Sequence, residues 1–182
     1  MIAWPLLAAL MGLAALALFP LSLAPPVASP LATLVHLNER HLLANLAGCA
    51  VLAWLGWRAQ MDRSNAFAWL LAWPLGQVAL LAGPAMSSFG GLSGWLHAGC
   101  AIVVVELLQR RGRERLIGAA LLAGLLAKLL LEQPWGALPP VDPAWGFAPA
   151  PFAHLAGSVT GAALALVTRY CRPSIHRWRQ DP

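Results

Sequence analysis

Long apolar segments alternate with short segments that carry arginine, and this alternation limits the possible folds more than any other feature of the chain. The apolar segments are close to the ~20 residues that a helix needs to cross a bilayer. Only 10% of the 182 residues are charged, whereas a soluble domain carries about 25%. The sequence therefore predicts an all-α, polytopic membrane protein that lies in the lipid bilayer.

Six transmembrane helices in one domain, residues 1–182, account best for the apolar segments. The first segment is interpreted as a retained helix, since it lacks the basic start of a signal peptide and has only a weak cleavage site. Pro74 is expected to break the third helix, which Gly83 and Pro84 then close. The predicted helices cover residues 2–23, 41–57, 66–82, 93–109, 116–131 and 152–167.

The placement of the basic residues supports six helices and orients them. With both termini in the cytoplasm, ten of the twelve Lys and Arg residues fall on the cytoplasmic side, as the positive-inside rule requires. The exceptions are Arg40 and Lys128. Orientation in the membrane thus explains the net charge of +5, and no nucleic-acid partner is predicted because the arginines form no basic face interleaved with aromatic residues. The ten residues are Arg58, Arg63, Arg110, Arg111, Arg113, Arg115, Arg169, Arg172, Arg177 and Arg179.

Polar residues inside apolar helices are costly and therefore mark candidate functional sites. Ser93, His154, His41 and Asn45 lie between 13 and 17 residues before the arginine at the cytoplasmic end of their helices. At about 1.5 Å per residue, all four lie roughly 20–25 Å from the inner surface. Three helices thus bring a hydroxyl, imidazole rings and an amide to one layer in the outer part of the membrane.

Small residues allow the fourth and sixth helices to approach closely. His154, Gly157 and Gly161 share one face of the sixth helix, and the Gly157-x3-Gly161 spacing is a close-packing motif. Gly94 and Ala98 offer a similar surface on the fourth helix. Such motifs usually only pack helices together. Because His154 lies at the same depth as Ser93, this motif also predicts that the two side chains are close enough to contact each other.

A serine nucleophile needs a base that takes its proton and donors that stabilise the oxyanion. His154 is the best candidate for the base. His41 and Asn45 share a helix face and suit the donor role, together with the backbone N–H of Ser93 at a helix start. Glu106 lies near the opposite surface, so no carboxylate is expected at the depth of the histidine. The residues therefore predict a Ser–His dyad.

Two charged residues near the outer end of the fifth helix leave an alternative open. Lys128 and Glu132 either form an ion pair or extend separately toward the aqueous surface. Separate extension is the expected behaviour, because long charged side chains near a membrane boundary keep their heads in water.

The remaining histidines also leave alternatives open. His97 follows Ser93 by one turn and is either a second base or, as we favour, a ring stacked on His154 that orients it. His36 either stabilises the loop before the second helix or donates to the oxyanion.

A metal site is not predicted. Zinc bound by the histidines would fit by ligand type, but no HExxH motif is present, and Glu39 lies at the wrong spacing. The three cysteines, Cys49, Cys100 and Cys171, form neither a metal-binding spacing nor a disulfide framework. We therefore predict no metal and no cofactor.

Three motifs together resemble the rhomboid intramembrane serine proteases. They are His36-x4-His41-x3-Asn45, Gly91-Leu92-Ser93-Gly94 and Ala153-His154-x2-Gly157-x3-Gly161. GxSG alone is a weak signal, but the three motifs occur in the order and on the helices found in that family. The resemblance implies a six-helix rhomboid-like bundle with Ser93 as nucleophile, His154 as general base, and His41, Asn45 and Gly91 at the oxyanion. The supporting residues that it implies are His36, Gly94, His97, Gly157 and Gly161.

The compact chain and the Gly91-Leu92-Ser93-Gly94-x-Leu96-His97 segment are most similar to the rhombosortase subgroup. Position 97 holds histidine where many bacterial rhomboids have a stacked tyrosine, and the short first loop lacks their Trp-Arg pair. The resemblance implies substrates with a GlyGly-CTERM tail, which comprises a Gly-Gly motif, one membrane helix and a basic end. It also implies a bacterial inner membrane location, with an active site that opens to the periplasmic side.

The predicted activity is cleavage of single-pass membrane proteins near the outer membrane boundary. The loop of residues 133–151, called loop 5, is apolar enough to cap the site, although an ordinary outer loop fits its composition equally well. The alternatives are a general rhomboid protease with other type I substrates and a non-catalytic rhomboid-like protein that binds membrane helices. A small transporter is a third reading, but no inverted repeat with paired broken helices is visible.

Overall fold

The computed structural model describes residues 2–21, 25–27, 29–86 and 89–171. Within these residues the chain forms six α-helices and three short 3-10 turns, and no named strand. The predicted all-α class is therefore confirmed. The helices are α1 (Ala3–Leu18), α2 (Glu39–Arg58), α3 (Arg63–Ala79), α4 (Ser93–Leu108), α5 (Arg113–Glu132) and α6 (Pro151–Tyr170). The 3-10 turns are Phe19–Leu21, Pro30–Leu34 and Leu80–Ala82.

Each of these helices overlaps one predicted segment. Three spans are long and apolar enough to cross a membrane: Ala3–Leu21, Arg63–Ala82 and Pro151–Tyr170. Ser93–Leu108 is apolar but shorter, and α2 and α5 carry charged residues at both ends. The chain is thus a membrane protein, whereas six crossings with cytoplasmic termini stay a prediction. Residues 22 and 23 of the first predicted helix, and Arg172, Arg177 and Arg179, lie outside the described residues.

The prediction that Pro74 breaks the third helix is wrong. Helix α3 continues through Pro74 from Arg63 to Ala79, and a 3-10 turn then extends it to Ala82. Proline removes one backbone donor, and neighbouring helices and local adjustments compensate for that loss in membrane helices. A single proline therefore does not end a helix that is packed on its neighbours.

Helix α4 is the central element of the bundle. It contacts α2, α3, α5 and α6, and Ile102 and Val103 in its middle are completely buried. A helix that is apolar on every side is expected in such a position. By contrast, α1 exposes Leu6, Leu10 and Leu13 on its outer face, as a helix that faces lipid should.

A stack of three tryptophans fixes the start of α4 against its neighbours. The Trp69 ring lies 4.0 Å from that of Trp95 and 4.3 Å from that of Trp4, measured between centroids. Trp69 and Trp95 each donate an indole N–H to the other's carbonyl at 2.9 Å. The indole of Trp4 donates to the carbonyl of Leu52 at 2.8 Å. Because each buried N–H has a partner, the stack stabilises the bundle without a desolvation cost.

The α4–α6 contact depends on small residues. A Cβ at Gly157 would overlap the carbonyl oxygen of Gly94, and a Cβ at Gly161 would overlap that of Ala98. The backbones of the two helices therefore touch, and this pair forms the most extensive helix–helix contact in the described part of the chain.

Two arginines make contacts at the opposite end of the bundle from the start of α4. Arg110 donates to the carbonyl of Ala59 at 2.6 Å, which joins the α4–α5 connection to the α2–α3 connection. Arg169, near the end of α6, lies 3.9 Å from a carboxylate oxygen of Glu106. The basic segments therefore share one end of the structure, and the start of α4 lies at the other.

Candidate active site

Ser93 is the first residue of α4, and the backbone just before it has an unusual conformation. Gly91 has a φ of +114°, which side-chain-bearing residues rarely adopt. Its N–H donates to the carbonyl of Ala32 at 3.1 Å, and a Cβ at this position would overlap the ring of His41. Glycine thus lets the chain pass against His41 and then turn into α4 with the serine at its first position.

The hydroxyl of Ser93 lies within hydrogen-bond distance of His154. Ser93 Oγ is 3.1 Å from His154 Nε2, although 61 positions separate the residues along the chain. His154 is on the first turn of α6, and the backbone contact between α4 and α6 brings the two side chains together. A hydroxyl and an imidazole at this distance can exchange a proton.

His97 fixes the ring of His154 from one side. The two imidazoles are stacked, with centroids 4.2 Å apart and planes inclined by 13°. His97 Nδ1 lies 2.7 Å from the Ser93 carbonyl oxygen, to which it donates. With this nitrogen engaged by the backbone and its ring face on His154, His97 has the geometry of a stacked partner.

The expectation that no carboxylate lies at the depth of His154 is wrong. Glu132 Oε2 lies 2.6 Å from His154 Nδ1, and Oε1 of the same group lies 2.6 Å from Lys128 Nζ. The expected separate extension of Lys128 and Glu132 toward water is therefore also wrong. Glu132 is the last residue of α5 and His154 is in the first turn of α6, so the two side chains share a layer across loop 5.

Glu106, by contrast, is at the other end of α4, where Arg169 lies 3.9 Å from its carboxylate. The sequence signal for Glu132 was its depth measured from the outer end of the helix. Its neighbour Lys128, one turn earlier, made it look like an ordinary boundary residue. Because depth was counted only from the arginines at the cytoplasmic helix ends, Glu132 was not recognised as a residue of the site.

His41 and Asn45 border the site from α2. Both are buried, and a Cβ at Gly91 would lie 2.5 Å from His41 Nε2 and 3.3 Å from Asn45 Nδ2. Neither Asn45 Nδ2 nor His41 Nδ1 has a hydrogen-bond partner among the residues that the structure describes. Buried polar nitrogens normally have partners, so the unpaired Asn45 amide nitrogen beside Gly91 indicates a place where a ligand atom binds.

His36 precedes α2 and lies behind His41. Its Nδ1 is 3.2 Å from the Leu34 carbonyl, and its ring centroid is 4.9 Å from that of His41. Burial lowers the pKa of His36, and the hydrogen bond to Leu34 opposes this effect only in part. Burial therefore favours the neutral form of the His36 ring, which packs beside His41.

Loop 5 covers the α2 side of the site. The side-chain amide of Asn38 donates to the Trp145 carbonyl at 2.6 Å, and Arg40 donates to the Ala144 carbonyl. The ring of Phe147 lies 4.8 Å from the ring of His41. Asn38 was not expected from the sequence to take part, because a contact across more than 100 positions leaves no local pattern.

The histidines of the site form two separate pairs. His36 lies beside His41, and His97 lies on His154. Within the described ranges, no group of three or more His, Cys, Asp or Glu side chains is placed to hold a metal ion. The geometry of Ser93 and His154 suits proton transfer from the hydroxyl and nucleophilic attack by its oxygen.

Comparison with protein families adds one finding. A model of the Rhomboid domain matches residues 29–171, which include every site residue described above and leave α1 outside the match. A search of curated proteins found no match.

Proposed function

The chain belongs to the rhomboid family, whose members are generally intramembrane serine proteases, and we propose that this protein is such a protease. The observation that carries the proposal is the 3.1 Å separation between Ser93 Oγ and His154 Nε2. A serine hydroxyl needs an adjacent base to become a nucleophile. Here both groups are held on helices whose backbones touch.

The proposed reaction has two steps. The Ser93 hydroxyl oxygen bonds to the substrate carbonyl carbon while its proton moves to His154 Nε2. The C–N bond then breaks, and the leaving amine takes that proton. In the second step a water molecule, deprotonated by His154, attacks the ester carbon and releases the carboxylate product. The proton returns to the Ser93 oxygen, and the enzyme is restored.

His41, Asn45 and the backbone N–H of Ser93 are the proposed donors to the oxyanion. The unpaired Asn45 Nδ2 and the closeness of both side chains to Gly91 support this role. Donors that are fixed before the reaction stabilise developing charge without reorganisation. Gly91 contributes by letting the backbone before Ser93 pass close to His41, where a side chain would collide with the imidazole ring.

The proposed substrate is a single-pass membrane protein that is cut near the outer membrane boundary. The site lies at the end of the bundle opposite to the arginine-rich end, and the positive-inside rule assigns that basic end to the cytoplasm. We infer a multi-pass protein of the bacterial inner membrane, with both termini in the cytoplasm and the site open to the periplasmic side.

The narrower proposal is that the substrates carry a GlyGly-CTERM tail, as in the rhombosortase subgroup. The similarity of the segment from Gly91 to His97 supports it.

Co-expression with a substrate that carries a Gly-Gly motif, a membrane helix and a basic tail tests both levels of the proposal. We expect a shortened product with the wild type and none with Ser93→Ala or His154→Ala. The matched control is Thr168→Val, which removes a hydroxyl at the far end of α6, and it should leave the product unchanged. Product from the Ser93→Ala variant would overturn the protease proposal.

A second substrate, with the Gly-Gly motif replaced by Val-Val, separates the alternatives. Loss of cleavage supports the rhombosortase-like specificity. Equal cleavage of both substrates indicates a general rhomboid protease with other type I substrates. Capture of the substrate by the wild type without any cleavage indicates a non-catalytic protein that binds membrane helices.

A further inference from the structure

We propose that Glu132 is a positioning residue for His154, so that the working unit is Ser93–His154–Glu132 and not a dyad. The juxtaposition that carries this inference is one imidazole with a hydroxyl at one nitrogen and a carboxylate at the other. The distances are 3.1 Å from Nε2 to Ser93 Oγ and 2.6 Å from Nδ1 to Glu132 Oε2. The inference rests on the proposed protease function.

The carboxylate decides which nitrogen of the ring carries the proton. An ionised carboxylate only accepts hydrogen bonds, so its contact with Nδ1 requires a proton on that nitrogen. Nε2 then has a free lone pair directed at the Ser93 hydroxyl, which a general base needs. When His154 takes the serine proton, the nearby negative charge also stabilises the imidazolium.

Lys128 holds the carboxylate in position. It is one turn before Glu132 on α5, and its ammonium group lies 2.6 Å from Oε1, the oxygen that does not face His154. Lys128 is 48% exposed and Glu132 is 26% exposed, so the pair lies at the edge of the bundle. Each carboxylate oxygen thus has one partner, and the oxygen that faces the ring is left to His154.

A purely structural reading is that Glu132 only ties α5 to α6. The two helices have few other contacts, so a polar link at their outer ends would serve that purpose. The two readings differ in what they predict for the ring. If Glu132 only links the helices, any hydrogen bond between α5 and α6 is sufficient. If Glu132 positions the ring, residue 132 must accept a hydrogen bond and so keep the proton on His154 Nδ1.

Glu132→Gln separates the two readings, because the amide can still link the helices but can also donate to Nδ1. Donation moves the ring proton to Nε2, where it blocks proton transfer from Ser93. The same kind of change in a serine-protease triad lowers kcat by about 10⁴-fold. We expect kcat of the full-length enzyme to fall at least about 100-fold, with KM for the tailed substrate unchanged. Glu132→Asp should restore part of kcat.

The matched control is Glu114→Gln, the same substitution on the first turn of α5, where the carboxylate pairs with Arg110 at 2.7 Å. It should leave kcat unchanged. The rate at which a fluorophosphonate probe labels Ser93 gives a second readout, because the probe needs the activated hydroxyl but no membrane helix. We expect labelling of the Glu132→Gln variant to slow to the same extent as kcat.

The ring proton itself is measured by ¹⁵N NMR of histidine-labelled protein in detergent micelles, with His154 assigned by its loss in His154→Ala. All spectra are recorded and compared at one pH. We expect a proton on Nδ1 in the wild type and an increased Nε2-protonated fraction in Glu132→Gln.

If a folded Glu132→Gln variant has the same kcat, labelling rate and His154 tautomer as the wild type, the inference is overturned. The protease proposal then stays intact. Absence of Ser93 labelling in the wild type would instead overturn the protease proposal, and this inference with it. If Glu132→Gln unfolds, the tautomer and kcat of Glu132→Asp decide. If the Glu132→Asp variant keeps full kcat although His154 Nδ1 carries no proton, the positioning role is contradicted.

Discussion

Helices α4 and α5 approach α6 in opposite ways. Helix α4 meets it with backbone against backbone, at Gly157 and Gly161, whereas α5 is largely exposed and buries only Gly118 and Leu129. The Ser93–His154 pair is set by the first contact, and the Glu132–His154 pair by a hydrogen bond across the second. The groups that exchange the proton are therefore fixed by the fold. The group that orients His154 is on a helix that has few contacts with α6, although α5 also packs on α4.

This difference also indicates where a substrate helix can approach. Leu130 and Leu131 at the outer end of α5 are more than half exposed, and α5 has few contacts with α6, so moving the outer end of α5 away from α6 breaks few contacts between these two helices. Separating α4 from α6 would instead break the most extensive contact of the bundle. We therefore expect substrate to enter on the α5 side, and the following predictions test the contrast between the two sides.

The largest effect is expected from Gly157→Ala. Its Cβ would overlap the Gly94 carbonyl oxygen, and because backbone cannot give way as a flexible side chain can, the helices must separate. We expect a loss of stability of about 3 kcal/mol or more, at or above the upper end for overpacking, and loss of proteolysis. Unfolding in a denaturing detergent titration measures the first, and substrate cleavage the second.

The control is Gly124→Ala on α5, where a Cβ would have no heavy atom within 4 Å. Alanine has a higher helix propensity than glycine, so this variant should be stabilised by up to about 1 kcal/mol. Equal effects at positions 124 and 157 would contradict the contrast between the two sides.

A second comparison uses large apolar residues. Ile102 on α4 is completely buried, and Leu130 on α5 is 62% exposed. Ile102→Ala should cost about 2–5 kcal/mol because it leaves a cavity, whereas Leu130→Ala should change stability by less than about 0.5 kcal/mol. The same detergent titration measures both. A cost at Leu130 similar to that at Ile102 would show that α5 is packed as firmly as α4.

Asn45→Ala tests the fixed side of the site without altering the α4–α6 contact. Removal of one oxyanion donor typically lowers kcat by about 10²–10³-fold, and we expect a loss within that range with stability nearly unchanged. Steady-state kinetics on the tailed substrate measure it. Wild-type kcat in the Asn45→Ala variant would remove this residue from the site.

A modest loss of stability is expected at Asn38, which links loop 5 to α2. Its Oδ1 accepts from the His41 backbone N–H at 2.9 Å, and its amide donates to the Trp145 carbonyl at 2.6 Å. Asn38→Ala should cost about 1 kcal/mol through the lost helix cap. It should also speed proteolytic nicking of loop 5, whereas unchanged nicking would show that the link does not hold the loop.

The sequence predicted the helices and the Ser93–His154 pair because both leave regular signals. Apolar length and arginine placement mark the helices, and residue counts along them give the depth of each polar group. The contact of Glu132 with His154 was missed because its depth alone is not enough: a charged residue at a helix end has the same appearance in the sequence whether it faces water or turns inward. Pro74 was misread because local propensity does not include the packing that keeps α3 continuous. The contact of Asn38 with loop 5 depends on the tertiary fold alone.

The central claim is that Ser93 is a nucleophile activated by His154, and mass spectrometry of the intact protein after fluorophosphonate treatment tests it most directly. In this reaction the serine oxygen bonds to phosphorus, fluoride leaves, and the proton passes to the histidine. We predict one adduct per chain, on the Ser93 peptide, and none in Ser93→Ala or His154→Ala. An adduct on a different residue, or full labelling of Ser93 in the His154→Ala variant, would contradict the account.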